Sequence, residues 1–109
     1  MITRILIDVQ GTLVSNVAGH SSAACLRAVQ DLAAAGYLVT LVSASPDPAP
    51  VGGLRVEDKA DWLVAERCAG QFWCDDDAMI LRAAVRLGAI AVPAASLLDL
   101  AAALKGGGR

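Results

Sequence analysis

The chain has 109 residues, of which 56% are apolar and only 4% aromatic, and its formal charge at pH 7 is −2. This length predicts a single domain with one core, and the composition is unlike that of a disordered chain. The slight negative charge argues against a basic surface for bulk nucleic acid or anionic membranes, so we expect neither partner. The longest apolar stretch, 89–104, is interrupted by Pro93 and Asp99 and falls short of the ~20 residues that a membrane-spanning helix needs.

The N-terminus and the cysteines indicate the compartment. The apolar run 5–7 ends at Asp8 and is too short for the core of a secretory signal, so we expect a cytoplasmic protein. Three cysteines cannot all pair, and Cys25, Cys68 and Cys74 form no CxxC spacing. Buried free thiols are therefore predicted in place of disulfides or a thiolate zinc site.

Predicted strands and helices alternate along the chain. The first half contains a strand over 5–7 that ends at Asp8, a helix over 23–35, and a strand over 37–42 that ends at Ser43. A loop rich in Pro and Gly follows over 44–53, and 54–56 forms at most a rudimentary edge strand. The second half contains a helix over 57–69, a strand over 72–74, a helix over 78–87, a strand over 89–92 and a helix over 96–104.

This alternation predicts an α/β fold with a small, mostly parallel sheet between two layers of helices. The strand that ends at Asp8 is expected near the middle of the sheet. One domain is expected over 1–105, and 106–109 is expected to form a flexible tail.

Three of the predicted strands end in acidic or hydroxyl side chains. These are Asp8, Ser43, and the run Asp75, Asp76 and Asp77. Ligands of open parallel sheets bind beyond the carboxyl ends of the strands, and carboxylates gathered there repel unless a cation or protons relieve them. Mg²⁺ suits oxygen ligands and a substrate phosphate, so the pattern predicts a magnesium site. Asp77 is expected to cap the next helix and not to bind the ion.

The stretch ILIDVQGTL, residues 5–13, resembles the first motif of the haloacid dehalogenase (HAD) superfamily, an apolar strand followed by DxDGT. The run FWCDDDAMILRAAVRLGA, residues 72–89, is similar to the family's later strand, acidic pair and helix, so the resemblance covers nearly the whole chain. It implies a three-layer Rossmann-like, HAD-like fold. It also implies a Mg²⁺-dependent phosphohydrolase or phosphotransferase.

The resemblance implies a role for each matching residue. Asp8 is then the nucleophile, which carries the phosphoryl group as an aspartyl-phosphate. The implied phosphate-binding residues are Thr12, Ser43 and Lys59. The implied magnesium ligands are Asp8, the backbone carbonyl of Gln10, Asp75 and Asp76. Arg55 stays an alternative to Lys59, and Ser45 is a weaker alternative to Ser43.

The sequence departs from the family pattern in three places. Gln10 stands where HAD phosphatases carry a second Asp, and because Gln cannot titrate, general acid–base catalysis worth ~10²–10⁴-fold should be missing there. Ile80 replaces a polar residue that orients the metal shell in many members, which implies weaker magnesium binding. The segments 12–20 and 44–54 are too short for an inserted cap domain, so the site should be open to a large substrate, a partner protein or another subunit.

Two other interpretations stay open. The first is a catalytically impaired HAD-like domain that binds magnesium, phosphate or a partner protein, and Gln10 is the residue that favours it. The second is a receiver-like domain, which fits less well because such domains carry their acidic pair after the first strand. The apolar final helix also makes a homo-oligomer a candidate assembly.

Overall fold

The structure, a computed structural model, describes residues 3–45 and 49–107. The strands are β1 (Arg4–Asp8), β2 (Leu38–Ser43), β3 (Val56–Asp58), β4 (Phe72–Asp75) and β5 (Ile90–Pro93). The helices are α1 (Ser22–Ala34), α2 (Lys59–Trp62), α3 (Ala65–Cys68), α4 (Ala78–Arg86) and α5 (Leu97–Gly107), and a 3₁₀ turn over Ala94–Ser96 precedes α5. Among the described residues, no helix has the length and apolar character needed to cross a membrane.

The five strands form one sheet in the order β3-β2-β1-β4-β5, and every strand pair is parallel. The α/β class and the central position of β1 are confirmed, and the sheet is parallel throughout. From β1 the chain moves outward through β2 and β3, then crosses back to β4 and β5 on the other side. A change of direction of this kind leaves a crevice at the carboxyl ends of the two strands that flank it, here β1 and β4.

The two faces of the sheet are covered by different helices. Ile5 and Ile7 of β1 pack in a cluster with buried residues of α1 and α5. Leu6, which points to the opposite face, packs in a second cluster with Trp73 and with residues of α2, α3 and α4. The predicted three layers are confirmed. All three cysteines are buried free thiols, as predicted.

The segment 57–69 is not the single helix that the sequence predicts. Glu57 and Asp58 pair with β2, so the edge strand lies two residues later than predicted, and the Asp58 carboxylate caps α2. Leu63 leaves the helical conformation and Val64 is extended, which ends α2 and separates it from α3. Lys59 consequently lies in the first turn after β3, at the same edge of the sheet as Asp8.

The C-terminal helix is longer than predicted. It begins one residue after the expected cap, Ser96, and continues through Gly106 and Gly107, which the sequence placed in a flexible tail. Once a helix has formed, adding a residue needs no new nucleus, so a run of good helix formers carries it into the glycines. Residues 108–109 of the predicted tail lie outside the described residues.

Candidate active site

A cleft of about 400 Å³ opens at the carboxyl ends of the central strands. Six of the residues predicted from the sequence line it: Asp8, Gln10, Ser43, Lys59, Asp75 and Asp76. β1 supplies the first of them, β2 ends at the serine, and the acidic pair follows β4. The cleft lies where the direction of the sheet changes, which is the usual place for a ligand in an open α/β sheet.

The Lys59 ammonium joins two of the carboxylates. Its Nζ lies 2.8 Å from Asp8 Oδ1 and 2.9 Å from Asp75 Oδ2. Although burial lowers the pKa of Lys59, its hydrogen bonds to the two carboxylates raise that pKa by more, so the group stays charged. Arg55, the alternative cation, is exposed and is not among the residues that line the cleft.

Asp75 is fully buried and is held by three donors. Its Oδ2 accepts from Lys59 and, at 3.2 Å, from the indole Nε1 of Trp73, while its Oδ1 accepts from the backbone N–H of Asp77 at 3.0 Å. Trp73 is not among the site residues predicted from the sequence. The available signal was the spacing of two residues within one strand, which places both side chains on the same face of the sheet.

Three carboxylates share this site with one ammonium. Asp8, Asp75 and Asp76 each offer an oxygen, and these atoms all lie within 4.8 Å of one another. Burial, the charge of Asp75 and a hydrogen bond with Asp76 raise the pKa of Asp8 to about 7, although Lys59 opposes this shift. The site therefore carries an excess of negative charge that a proton or a divalent cation would offset.

Gly11 allows Asp76 to approach this closely. Its φ is +83°, in the left-handed region that favours glycine, and a Cβ at this position would overlap the Asp76 carboxylate. The Gly of the predicted motif is thus required both by the turn after β1 and by the position of the second acidic residue of the pair.

Thr12 does not lie with the other predicted phosphate-binding residues. It is fully buried, does not line the cleft, and donates from Oγ1 to Asp8 Oδ2 at 3.3 Å. Its position suits it to orient the Asp8 carboxylate, and a role in phosphate binding stays a prediction. Asp77 caps α4 by accepting from Met79 N at 2.9 Å, as predicted.

Ser43 and Gln10 lie on the open side of the cleft. Ser43 is buried, and its Oγ accepts from the Ser45 backbone N–H at 3.2 Å, which leaves the hydroxyl hydrogen available to an anion. Gln10 is exposed, and within residues 3–45 and 49–107 its side-chain amide makes no hydrogen bond. Its side chain is free to reach over the cleft.

The loop between β1 and α1, residues 9–21, is too short for a cap domain and is fixed by a residue that the sequence did not single out. Asn16 is buried and donates from Nδ2 to Thr12 O at 2.8 Å and to Ala94 O at 3.1 Å. Its Oδ1 accepts from Ala18 N at 2.8 Å. One amide thereby ties the loop that follows Asp8 to the 3₁₀ turn before α5. Of the second insertion point, residues 46–48 lie outside the described part of the chain.

Replacement of Asn16 by Asp should lower the free energy of unfolding by about 1–3 kcal/mol, because a carboxylate of the same shape cannot donate to the two carbonyl groups. Urea unfolding at pH 7 measures the change. The exposed substitution Gln30→Glu introduces the same charge on α1 and should change stability by less than about 0.5 kcal/mol. Equal effects of the two substitutions would contradict the proposed tie.

The raised pKa of Asp8 predicts a pH dependence of stability in EDTA. A carboxyl group whose pKa is about 7 when folded and about 3.9 when unfolded stabilises the fold fully below pH 4, and this contribution is lost as the pH rises through 7. We expect the wild type to lose on the order of 2–4 kcal/mol between pH 4 and pH 8 relative to Asp8→Asn. The exposed Asp99→Asn variant should show the same change of unfolding free energy with pH as the wild type. If the unfolding free energies of Asp8→Asn and the wild type change with pH in parallel, the raised pKa of Asp8 is contradicted.

Comparison of the chain with protein-family models, with curated proteins and with solved structures finds no match. The resemblance to the HAD superfamily therefore rests on the quoted motifs and their order along the chain. The site itself offers a buried carboxylate next to an ammonium, two further carboxylates, and a serine hydroxyl, all at one edge of a parallel sheet.

Proposed function

We propose that the protein is a Mg²⁺-dependent phosphohydrolase or phosphotransferase of the HAD type, acting through an aspartyl-phosphate on Asp8. The observation that supports this most is the joint contact of Lys59 with Asp8 and Asp75 beside Asp76, at the change of direction of the sheet. A nucleophilic carboxylate, a cation for phosphoryl oxygens and a set of magnesium ligands would then occupy one cleft.

The residues present fit a magnesium ion. Asp8, Asp76 and the backbone carbonyl of Gln10 would hold it, and Asp75 Oδ1 can join them because it accepts a single hydrogen bond from the described residues. When bound, Mg²⁺ would offset the negative charge of the carboxylates and of the phosphoryl oxygens. With all groups ionised, the three carboxylates and Lys59 carry a net charge of −2, which one divalent cation would balance.

The chain's own residues would carry out the transfer. An oxygen of the Asp8 carboxylate attacks phosphorus, the bond from phosphorus to the ester oxygen breaks, and the alcohol leaves with that electron pair and takes a proton from water. Lys59 and Thr12 orient the two oxygens of Asp8, while Lys59 and the Ser43 hydroxyl hold the phosphoryl oxygens. Attack of water or of an acceptor alcohol on the aspartyl-phosphate then frees Asp8.

Gln10 would make both steps slow, since it can neither protonate the leaving oxygen nor activate the incoming water. Substrates with good leaving groups need the least protonation and should react best. The second candidate function, a HAD-like domain that binds magnesium, phosphate or a partner protein without turnover, is favoured by this same exposed amide at the mouth of an uncapped cleft.

A phosphate panel with and without Mg²⁺ tests the proposal. The wild type with p-nitrophenyl phosphate and Mg²⁺ should release a burst of p-nitrophenol of up to about one equivalent, followed by slow turnover, because the aspartyl-phosphate forms faster than it is hydrolysed. EDTA and Asp8→Asn should each abolish the burst, and hydroxylamine should trap the acyl-phosphate.

The exposed substitution Asp99→Asn serves as the control and should keep the burst. If no member of the panel gives a burst or a trapped acyl-phosphate, the catalytic proposal fails. Binding of Mg²⁺ and phosphate in that case, lost in Asp76→Asn, would favour the second candidate.

A further inference from the structure

A second cleft, of about 240 Å³, adjoins the candidate active site. The two clefts share Gln10, Ser43 and Ser45. Among the described residues, the remaining walls of the second cleft carry apolar side chains, including Val9, Val14, Pro50, Val51 and Val56, so we call it the valine cleft. It runs between the loop that follows β1 and the segment that leads into β3.

The walls of the valine cleft are held by the fold. On one side, the backbone N–H of Val14 donates to Val9 O at 2.8 Å, in the turn directly after Asp8. On the other side, Val51 and Leu54 exchange two backbone hydrogen bonds of 2.9 Å, and Val56 lies in β3. Gly52 lies so close to the Leu26 side chain of α1 that a Cβ there would overlap it, so this turn packs against the helix.

The shared residues define how a substrate would span both clefts. A phosphoryl group between Lys59 and Ser43 lies at the border with the valine cleft, since Ser43 lines both. The ester oxygen and its alcohol can then extend past Gln10 into the apolar cleft. An apolar group gains free energy by leaving water against the valine and proline side chains, whereas a charged group placed against them would lose hydrogen bonds with water.

We infer that the substrate is a phosphate monoester of a small apolar alcohol, whose hydrocarbon part occupies the valine cleft; this inference rests on the proposed function. An apolar cavity of roughly 150 Å³ holds benzene, so a cleft of the size found here suits a chain or ring of about six carbons.

Alkylphosphonates test the inference, because the proposed transfer breaks a phosphorus–oxygen ester bond and leaves their carbon–phosphorus bond intact. Their binding can therefore be measured without turnover. Calorimetry in Mg²⁺ should give an affinity that rises about fourfold with each added CH₂ from methyl- to propylphosphonate and levels off near hexylphosphonate. The isosteric substitutions Val14→Thr and Val51→Thr should each lower the ratio of hexyl- to methylphosphonate affinity at least fivefold. The control Val17→Thr changes an exposed valine outside the cleft and should keep the wild-type ratio.

The outcomes separate the inference from the proposed function. If methylphosphonate binds and hexylphosphonate binds no more tightly, the valine cleft does not receive the alcohol, while the phosphate site stands. If the ratio is high but both threonine variants keep it, the alkyl chain lies elsewhere and the inference is overturned. If no alkylphosphonate binds, the proposed phosphate site fails and the inference fails with it.

Discussion

Substitution of Lys59 by Met should lower the free energy of unfolding at pH 8 by about 3–5 kcal/mol. Its ammonium lies within 3 Å of both Asp8 and Asp75, and removal of one partner from a buried ion pair leaves a buried charge without compensation. Asp75 is fully buried and, within the described part of the chain, would keep Trp73 and a backbone N–H as its donors. Urea unfolding in EDTA measures the effect without a contribution from bound metal.

The chain offers a matched control on its surface. Lys105 Nζ lies 3.5 Å from Asp31 Oδ2, but the two side chains are exposed to 63% and 41%. Exposed pairs contribute little, so Lys105→Met should change stability by at most about 1 kcal/mol. If Lys59→Met lowers the free energy of unfolding by less than about 1 kcal/mol, protonation of the carboxylates, and not Lys59, offsets their repulsion. The assignment of Lys59 as the cation that neutralises Asp8 and Asp75 would then be wrong.

Substitution of Gln10 by Asp should raise steady-state turnover of p-nitrophenyl phosphate by about 10²–10⁴-fold in the presence of Mg²⁺. The change places an ionisable group at the mouth of the cleft, where it can protonate the leaving oxygen and then take a proton from the attacking water. Gln10 is exposed and its amide holds no neighbour among the described residues, so the fold should tolerate the change.

Gln10→Asn separates acid–base chemistry from side-chain length. Asn is as short as Asp and cannot titrate, so its turnover should stay near that of the wild type. Similar rates for the Asp and Asn variants would exclude a missing general acid–base group as the cause of slow turnover. The double variant Gln10→Asp with Asp8→Asn should lose the increase in turnover, because the restored proton transfer acts on formation and hydrolysis of the aspartyl-phosphate.

The strand ends that form the site could be predicted from the sequence because they are local signals. An apolar run stops at Asp8, and another stops at Asp75, and in buried parallel strands such a stop marks the edge of the sheet. The alternation of strands and helices also determines that these edges coincide. Side-chain periodicity alone was enough for this part of the fold.

The break between α2 and α3 could not be predicted in this way, and the contacts that Trp62 makes beside it are not contained in the periodicity of 57–69. The ring of Trp62 stacks with the guanidinium groups of Arg4, at 4.6 Å, and Arg67, at 3.6 Å, and its Nε1 donates to Glu57 at 3.1 Å. Arg4 belongs to β1, far away in the sequence. Helical propensity over 57–69 contains no information about that contact, so a continuous helix was predicted.

The hydrogen bonds that support the site were missed for a related reason. Trp73 and Asn16 are residue types with common roles in packing and in loops, and only their burial next to Asp75, Thr12 and Ala94 gives them these partners. Burial of a donor without a partner is costly. For Asn16 the partner Ala94 lies 78 residues away in the chain, so only the assembled fold brings the two together. For Trp73 the spacing to Asp75 was a local signal, but the burial of the pair was not.

The two outer strands of the sheet limit the addition of a further strand from another molecule. β3 has only three residues, and two of them, Glu57 and Asp58, are acidic, so an incoming backbone would meet negative charge along a short edge. β5 ends in Pro93, which has no N–H to donate, and the N–H of Ile90 already donates to Gln71 O, so the outer edge presents at most the donors of Ala91 and Val92. A chain rich in apolar residues thus keeps the open edges of its parallel sheet poorly suited to templating cross-β aggregates.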